Sequence, residues 1–320
     1  MIFTEQITEG WDAFCSSRGD LFNSSAWHSV LSDGFDSKTL YGCDEQGAPC
    51  VSITIFSAGP FRIGYLGFPV GGAVGGFSLS PEVLSSLRTS RFPSKLHCVR
   101  IPVSAFVEQP ELPPNAQTAQ ETAILDLQGW NPQKETKLRQ RVNRALRSPL
   151  EIIDASDVAQ GNSLFSLYRD TVFRHGGSLK YTSAYFRALI KLSKASGKIR
   201  CLLAMLDEQF VGFEVVACHG QTGYSLHGCT NPEYKKYSTS DLLTYSAVSW
   251  AREQGMLSYN FMSSPQERKS LVRYKEKWGG VTRQHKTYEL VLKPISTAVF
   301  NRVFVLYHKM PNFIKLAWRR

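Results

Sequence analysis

The stretch SLVRYKEKWGG, Ser270 to Gly280, sets Arg273, Lys275 and Lys277 among Leu271, Tyr274 and Trp278, then frees the backbone with paired glycines. Such a pattern has two readings. One is a surface helix with an amphipathic face and a glycine stop. The other is an ammonium held in a cleft, with Lys275 flanked by Tyr274 and Trp278. There it would be aimed at a reacting group, whose negative charge a cation stabilises far more in a dry site than in water. A second candidate is HGCTNPEYKKYSTSDLL: a strand ends, a loop carries Lys235 and Lys236, and a helix opens with Ser238, Thr239 and Ser240. Free N–H groups at a helix start beside two lysines suit a phosphate or pyrophosphate. An ordinary cap with solvated lysines fits the same residues. A third, RHGGSLKYTSAYF, gathers Arg174, His175, Lys180 and Tyr181 around two glycines. It suits an anionic, ring-bearing substrate gripped by a forked guanidinium.

Other chemistries lack their residues. There is no H-E-x-x-H and no Cys/His pair at ligand spacing, so no metal site is expected. No G-x-S-x-G elbow or phosphate-binding G-x-x-x-x-G-K loop occurs. The cluster GYLGFPVGGAVGG lacks the strand-to-helix context of a dinucleotide site. It is either a close-packed loop or one wall of a substrate groove, where bare backbone approaches a ligand.

The elements that must hold these groups show a repeated layout. LYGCDEQGAPCVSITIF and CLLAMLDEQFVGFEVVAC both read as hairpins turning at Asp-Glu-Gln, and each is followed by a further strand, in FRIGYLGFPVGG and GYSLHGCT. Helical patterns precede both hairpins. STSDLLTYSAVSWAREQG is the clearest helix, with hydroxyl caps at its start and Gly255 as an αL stop, and LSYNFMSS returns as a strand. The order predicts an α/β (α+β) chain of two related halves, each a mixed, mainly antiparallel sheet flanked by helices. NPQKETKLRQRVNRALR reads as a helix with Asn131 as N-cap and Pro132 at its first position, stopped by Ser148-Pro149. The boundaries expected are 1–148, 149–290 and a basic segment 291–320 that covers a domain or a membrane surface. EQPELPPNAQTAQE reads as a surface loop.

The net charge of +10 favours anionic partners. It is patterned: six basic residues face one acid from Lys134 to Arg147, and six face none from Val291 to Arg320. Seven scattered cysteines without C-x-x-C, no apolar leader and no run near ~18 apolar residues lead to the expectation of a soluble cytoplasmic protein.

In this order the parts resemble the Fem-type acyltransferases of the GNAT superfamily, the group that includes bacterial peptidoglycan aminoacyltransferases. LFNSSAWHSVL is similar to their opening helix, and GYLGFPVGGAVGG to their proline-glycine strand and loop. AILDLQGWNPQKETKLRQRVNRALRSPLEI is similar to their mid-chain strand and basic helix. TNPEYKKYSTSDLLTYSAVSWAREQG and YNFMSSPQERKSLVRYKEKWGG resemble their last helix and terminal FK-x-x-WG signature. The resemblance implies two GNAT-like domains and transfer of an acyl or aminoacyl group onto an amine. It implies that Lys275 lies near the reacting carbonyl, with Tyr274 in place of the usual Phe, and that Arg174 and Lys180 border the acceptor. Tyr181 and Trp278 are further candidate substrate contacts. No bound cofactor is implied; the donor is an acyl-CoA or an aminoacyl-tRNA. The acceptor is a nucleotide-linked sugar, a muropeptide precursor or an amino sugar. Two departures stand out: no helical arm is inserted in the second half, and KKYSTS replaces the glycine-rich pyrophosphate loop of the coenzyme A enzymes. Asp126, Glu214, His227 and Tyr234 remain unranked as bases. The sequence also allows tRNA as a partner, membrane contact through the C-terminal segment, and an inactive GNAT-like scaffold.

Overall fold

The computed structural model describes residues 1–70, 81–92, 95–107 and 117–309. The end of the glycine cluster from residue 71, most of the proline-rich loop and the last eleven residues lie outside the described residues. The chain divides into two compact units, Met1–Gln117 with Val172–Thr182 and Lys286–Arg320, and Thr118–Thr171 with Ser183–His285.

The first unit runs β1 (Ile2–Thr4), α1 (Trp11–Ser17), α2 (Ser25–Phe35), β2 (Lys38–Cys43), β3 (Pro49–Ala58), β4 (Phe61–Leu66), α3 (Pro81–Thr89) and β5 (Cys98–Val103). Neighbouring strands are antiparallel from β1 to β4, while β4 and β5 run parallel. The β2–β3 turn is held by the Asp44 carboxylate, which accepts from the N–H groups of Gln46 and Ala48. Leu40, Val51, Ile53, Leu66, Leu87, Val99 and Ile101 form the core.

The second unit runs β6 (Gln117–Ile124), α4 (Thr136–Leu146), β7 (Glu151–Asp154), α5 (Gly161–Arg174, whose last turn falls in the first unit), α6 (Ser183–Ala195), β8 (Ile199–Leu206), β9 (Gln209–His219), β10 (Thr222–Thr230), α7 (Thr239–Glu253), β11 (Ser258–Ser264) and α8 (Lys269–Glu276). Its strands follow the order β7-β8-β9-β10-β11-β6, all antiparallel except β10 with β11. Asp207 and Glu208 both take positive φ, the two-residue turn whose twist matches a hairpin. Each unit therefore repeats one plan: edge strand, two helices, hairpin, third strand, crossover helix, parallel strand. Even the parallel registers match, with Tyr65 opposite Arg100 and Tyr224 opposite Asn260.

Three sequence expectations change. The cut near residue 148 gives way to one at Gln117, because β6 pairs with β11 and α4 packs on α7. The segment after residue 291 is not separate: β12 (Val281–Val291) pairs through Lys286–Val291 with β5, and α9 (Pro294–Lys309) buries Phe300 in the first unit. Finally, Asn131 does not cap α4. Its side chain accepts from Gln133 N, which turns the chain locally, and the helix opens four residues later with Glu135 in the cap position.

Candidate active site

Parallel β10 and β11 pair only over Thr222–Tyr224 and Ser258–Asn260. Beyond this, β10 stays with β9 and β11 stays with β6, each across a register shift, at Ser225/His227 and Asn260/Ser263. In β11 the irregularity has a visible cause. Asn260 Oδ1 accepts from Met262 N at 2.7 Å, and Met262 takes the left-handed conformation at φ 61°.

This bulge supplies an acceptor to Lys275. Lys275 projects from α8 and is only 7% exposed. Its Nζ donates to Met262 O at 2.8 Å and to Ser264 Oγ at 2.7 Å. An ammonium has three N–H donors, so one is left to meet an incoming oxygen. Burial lowers its pKa to about 8, against the opposing pull of Glu214 and Glu121. The ammonium is thus mostly charged at neutral pH but unusually ready to give up its proton.

Glu214 stands in the middle of the buried strand β9, opposite Gly228 of β10. The glycine leaves room for this carboxyl group: a Cβ at Gly228 would lie 2.2 Å from Glu214 Oε2 and displace it. Ser225 Oγ donates to Glu214 Oε1. Burial raises the Glu214 pKa to about 7, despite Ser225 and Lys275, which both favour the charged form. Glu121 of β6 forms a second buried carboxylate, accepting from Asn260 Nδ2 at 2.6 Å and lying 3.3 Å from His285 Nδ1. The set combines a cation that can meet developing negative charge with a carboxyl group that can take a proton near neutrality.

The other candidate bases separate cleanly. Asp126 is exposed and accepts from Gly129 N at 2.8 Å, closing a turn. His227 is wedged among Tyr185, Phe186 and Tyr168, with its Nε2 3.1 Å from the Tyr185 hydroxyl, and burial lowers its pKa to about 3. Tyr234 donates to Gln209 Oε1. Glu214 alone among the four combines burial, a pKa near neutrality and electrostatic contact with Lys275.

The rings expected around Lys275 are arranged otherwise. Lys275 points about 100° round α8 from Tyr274, and Trp278 follows the end of the helix. Trp278 is completely buried, stacked on Trp130 at 6.5 Å between centroids, and its carbonyl accepts from Trp130 Nε1. It is a core residue with no surface to offer a substrate. The Tyr274 hydroxyl donates to Ser240 O at 3.0 Å and sits 3.0 Å from Thr244 Oγ1, with the Arg141 guanidinium over its ring. Tyr274 therefore anchors α8 to α7, and burial pushes its pKa well up. The groups that bond Lys275 are instead Met262 O and Ser264 Oγ, with Glu214 and Glu121 acting on it electrostatically.

At the start of α7 the three hydroxyls do not act as a row of caps. Ser238 takes the cap position at φ 59° without a side-chain bond, Thr239 donates to Tyr234 O, and Ser240 pairs with Thr230. Lys235 and Lys236 are exposed on the preceding 3-10 turn (Pro232–Tyr237), with Lys236 Nζ 4.9 Å from the Tyr237 ring centre. Beside this turn opens a cavity of about 450 Å³. One face of α4 lines it with Gln140, Asn143, Arg144 and Arg147, and the turn contributes Lys236 and Tyr237. Arg141, on the adjoining face of α4, is tied to Asp241 of α7 at 2.5 Å. Sequence reasoning found both basic segments but not that they share a hollow.

Arg174, Lys180 and Tyr181 belong to the first unit. Tyr181 lies 5.9 Å from the Phe35 ring, and the neighbouring Thr182 donates to Gly34 O at 2.7 Å. Arg174 and Lys180 are exposed, though enough protein surrounds the Lys180 ammonium to lower its pKa. Among the described residues no cluster of three or more His, Cys, Asp or Glu could hold a metal ion, and no helix is long and apolar enough to cross a membrane.

A sheet whose parallel strands part on either side of a crossover helix is the layout of the GNAT fold. Residues 133–276 match the acetyltransferase (GNAT) domain family. Among solved structures, FemX superposes with a TM-score of 0.64 at 14% identity, over 93% of this chain and 100% of that one. L-PGS from Bacillus licheniformis gives 0.56 at 16% identity, over 95% and 98%. The C-terminal domain of a putative lysylphosphatidylglycerol synthetase from Agrobacterium fabrum gives 0.54 at 15% identity, over 87% and 90%. No curated protein sequence matches. Residues 133–276 thus carry the likeness to a GNAT acetyltransferase domain, and the chain shares its fold with FemX and L-PGS.

Proposed function

We propose that this protein transfers an acyl or aminoacyl group from an activated donor to the amine of a cell-envelope precursor or amino sugar. The observation that carries this reading is the buried Lys275 ammonium, fixed by the β11 bulge and electrostatically coupled to Glu214. The amine attacks the donor carbonyl, Glu214 takes the amine proton, and the free N–H of Lys275 meets the oxyanion. Collapse forms the amide and expels the thiol or the ribose hydroxyl, which leaves with a proton. Tyr274 acts only through its grip on α7.

The donor is an acyl-CoA or an aminoacyl-tRNA, both of which carry phosphates and are cytoplasmic. The basic cavity between α4 and the turn before α7, with Lys235, Lys236 and Ser238–Ser240 at its edge, suits those phosphates. Arg174, Lys180 and Tyr181 are assigned to an anionic acceptor, in keeping with the nucleotide-linked precursors of the envelope. FemX and the lysylphosphatidylglycerol synthetases share the fold and support a donor and acceptor of this kind.

The pH profile of transfer tests the roles, with donors and amine acceptors screened by mass spectrometry. The rate should rise as Glu214 loses its proton near pH 7 and fall as Lys275 loses its own above about pH 8. These limits belong to the coupled pair. Glu214→Gln should remove the rising limb and cost about 10²–10⁴ in rate. A variant that keeps both the limb and the rate overturns the assignment of the base.

A further inference from the structure

We propose that the outer face of α9 docks on an anionic membrane surface, a property independent of which group the enzyme transfers. The helix has two apolar sides. Its inner side carries Thr297, Phe300, Asn301 and Phe304 at the spacing of one helical face. Thr297 donates to His97 O, Asn301 bonds both Glu289 and Arg100, and Phe300 meets Phe61 at 5.4 Å. That side fixes the helix to the first unit.

The opposite side repeats at i, i+4, i+8 and i+11: Ile295, Val299, Val303 and Leu306, exposed by 83, 47, 38 and 60%. A helix already anchored by aromatic residues has no need of a second aliphatic stripe facing water. Exposed stripes of this kind mark a docking face. Its charge identifies the partner. Arg302 lies along the stripe and Lys293 precedes it, both exposed. The sequence holds no acid after Glu289. Aliphatic residues edged with cations suit lipid chains beneath anionic headgroups. Two-fold pairing with a second copy would instead set Arg302 near its own symmetry mate, with no acid to offset it.

The test is sedimentation of the full chain with phosphatidylcholine vesicles, alone or mixed with phosphatidylglycerol. The protein should pellet with the mixed vesicles and stay in solution with the neutral ones. The double variant Val299→Glu/Leu306→Glu should bind at least about tenfold more weakly, since both side chains lose their burial. Its melting in vesicle-free buffer should match the parent, because neither residue touches the inner face. Arg302→Glu should weaken binding by a smaller factor that disappears at high salt. Failure of the parent to pellet with anionic vesicles overturns the proposal. So does a double variant that binds as well as the parent, or one that only dissolves a dimer and leaves vesicle binding intact.

Discussion

Each unit buries a cation near its parallel strand pair, and the two are treated in opposite ways. In the first unit, Arg100 pairs with Glu289 at 3.1 Å, bonds Asn301 and Tyr65, and lies over the adjacent Phe300 and Phe304 rings. Burial alone would lower its pKa, but Tyr65 and Glu289 outweigh it and raise it. In the second unit, Asn260 holds the matching register position, and the buried cation is Lys275, on a different element. Lys275 has two neutral acceptors and carboxylates only at longer range, so burial prevails and its pKa falls. One plan thus yields a saturated ion pair that holds a helix and an ammonium with fewer partners than donors. The difference lies in how many partners each cation is given, not in the strand order.

The largest effect should come from breaking the saturated pair. Glu289→Gln leaves Arg100 charged and poorly matched among buried groups, at a cost of about 3–5 kcal/mol. Urea unfolding should show that loss, while the folded fraction keeps its transfer rate. An unchanged midpoint would mean that the pair is as dispensable as a surface bridge.

Next comes Lys275→Ala, which should slow transfer about a hundredfold, roughly 3 kcal/mol of barrier, with circular dichroism intact. Stability carries a second signature. Because burial lowers the folded pKa from 10.5 to about 8, the unfolded chain binds the extra proton between those values. Lys275 therefore adds to stability as pH rises through that window. The parent-minus-variant stability should climb from pH 8 to 10.5, and a flat difference would contradict the buried ammonium.

The smallest effect is expected from Tyr274→Phe, which removes the hydroxyl bonded to Ser240 and restores the ring common in the family resemblance. It should cost about 1 kcal/mol of stability and leave the rate within about threefold. A collapse in rate would return Tyr274 to the chemistry.

The repeated hairpins and their following strands were legible because alternation and turn residues act locally. Lys275 was legible from its motif, yet its surroundings were not, since adjacency in sequence suggested rings that helical geometry turns away. Glu214 was visible as an acid inside the apolar run FVGFEVVAC. Only the cross-strand register, placing it over Gly228 beside Ser225, gave it an environment that the other three candidates lack. The Met262 bulge was illegible: the Asn260 bond that forms it is local, but nothing in YNFMSS distinguishes it from a regular strand. The true division at Gln117 was hidden because strand pairing, not a linker, decides it.

That division shapes how the protein is made. The last strand of the first sheet and the helix that seals Arg100 leave the ribosome only after the whole second unit has emerged. Until then β5 offers an unpaired edge and Arg100 waits without Glu289. The unit that begins first is finished last, so its closure rests on contacts nearly two hundred residues apart in the chain, a slow kind of assembly that leaves an open edge exposed to stray pairing.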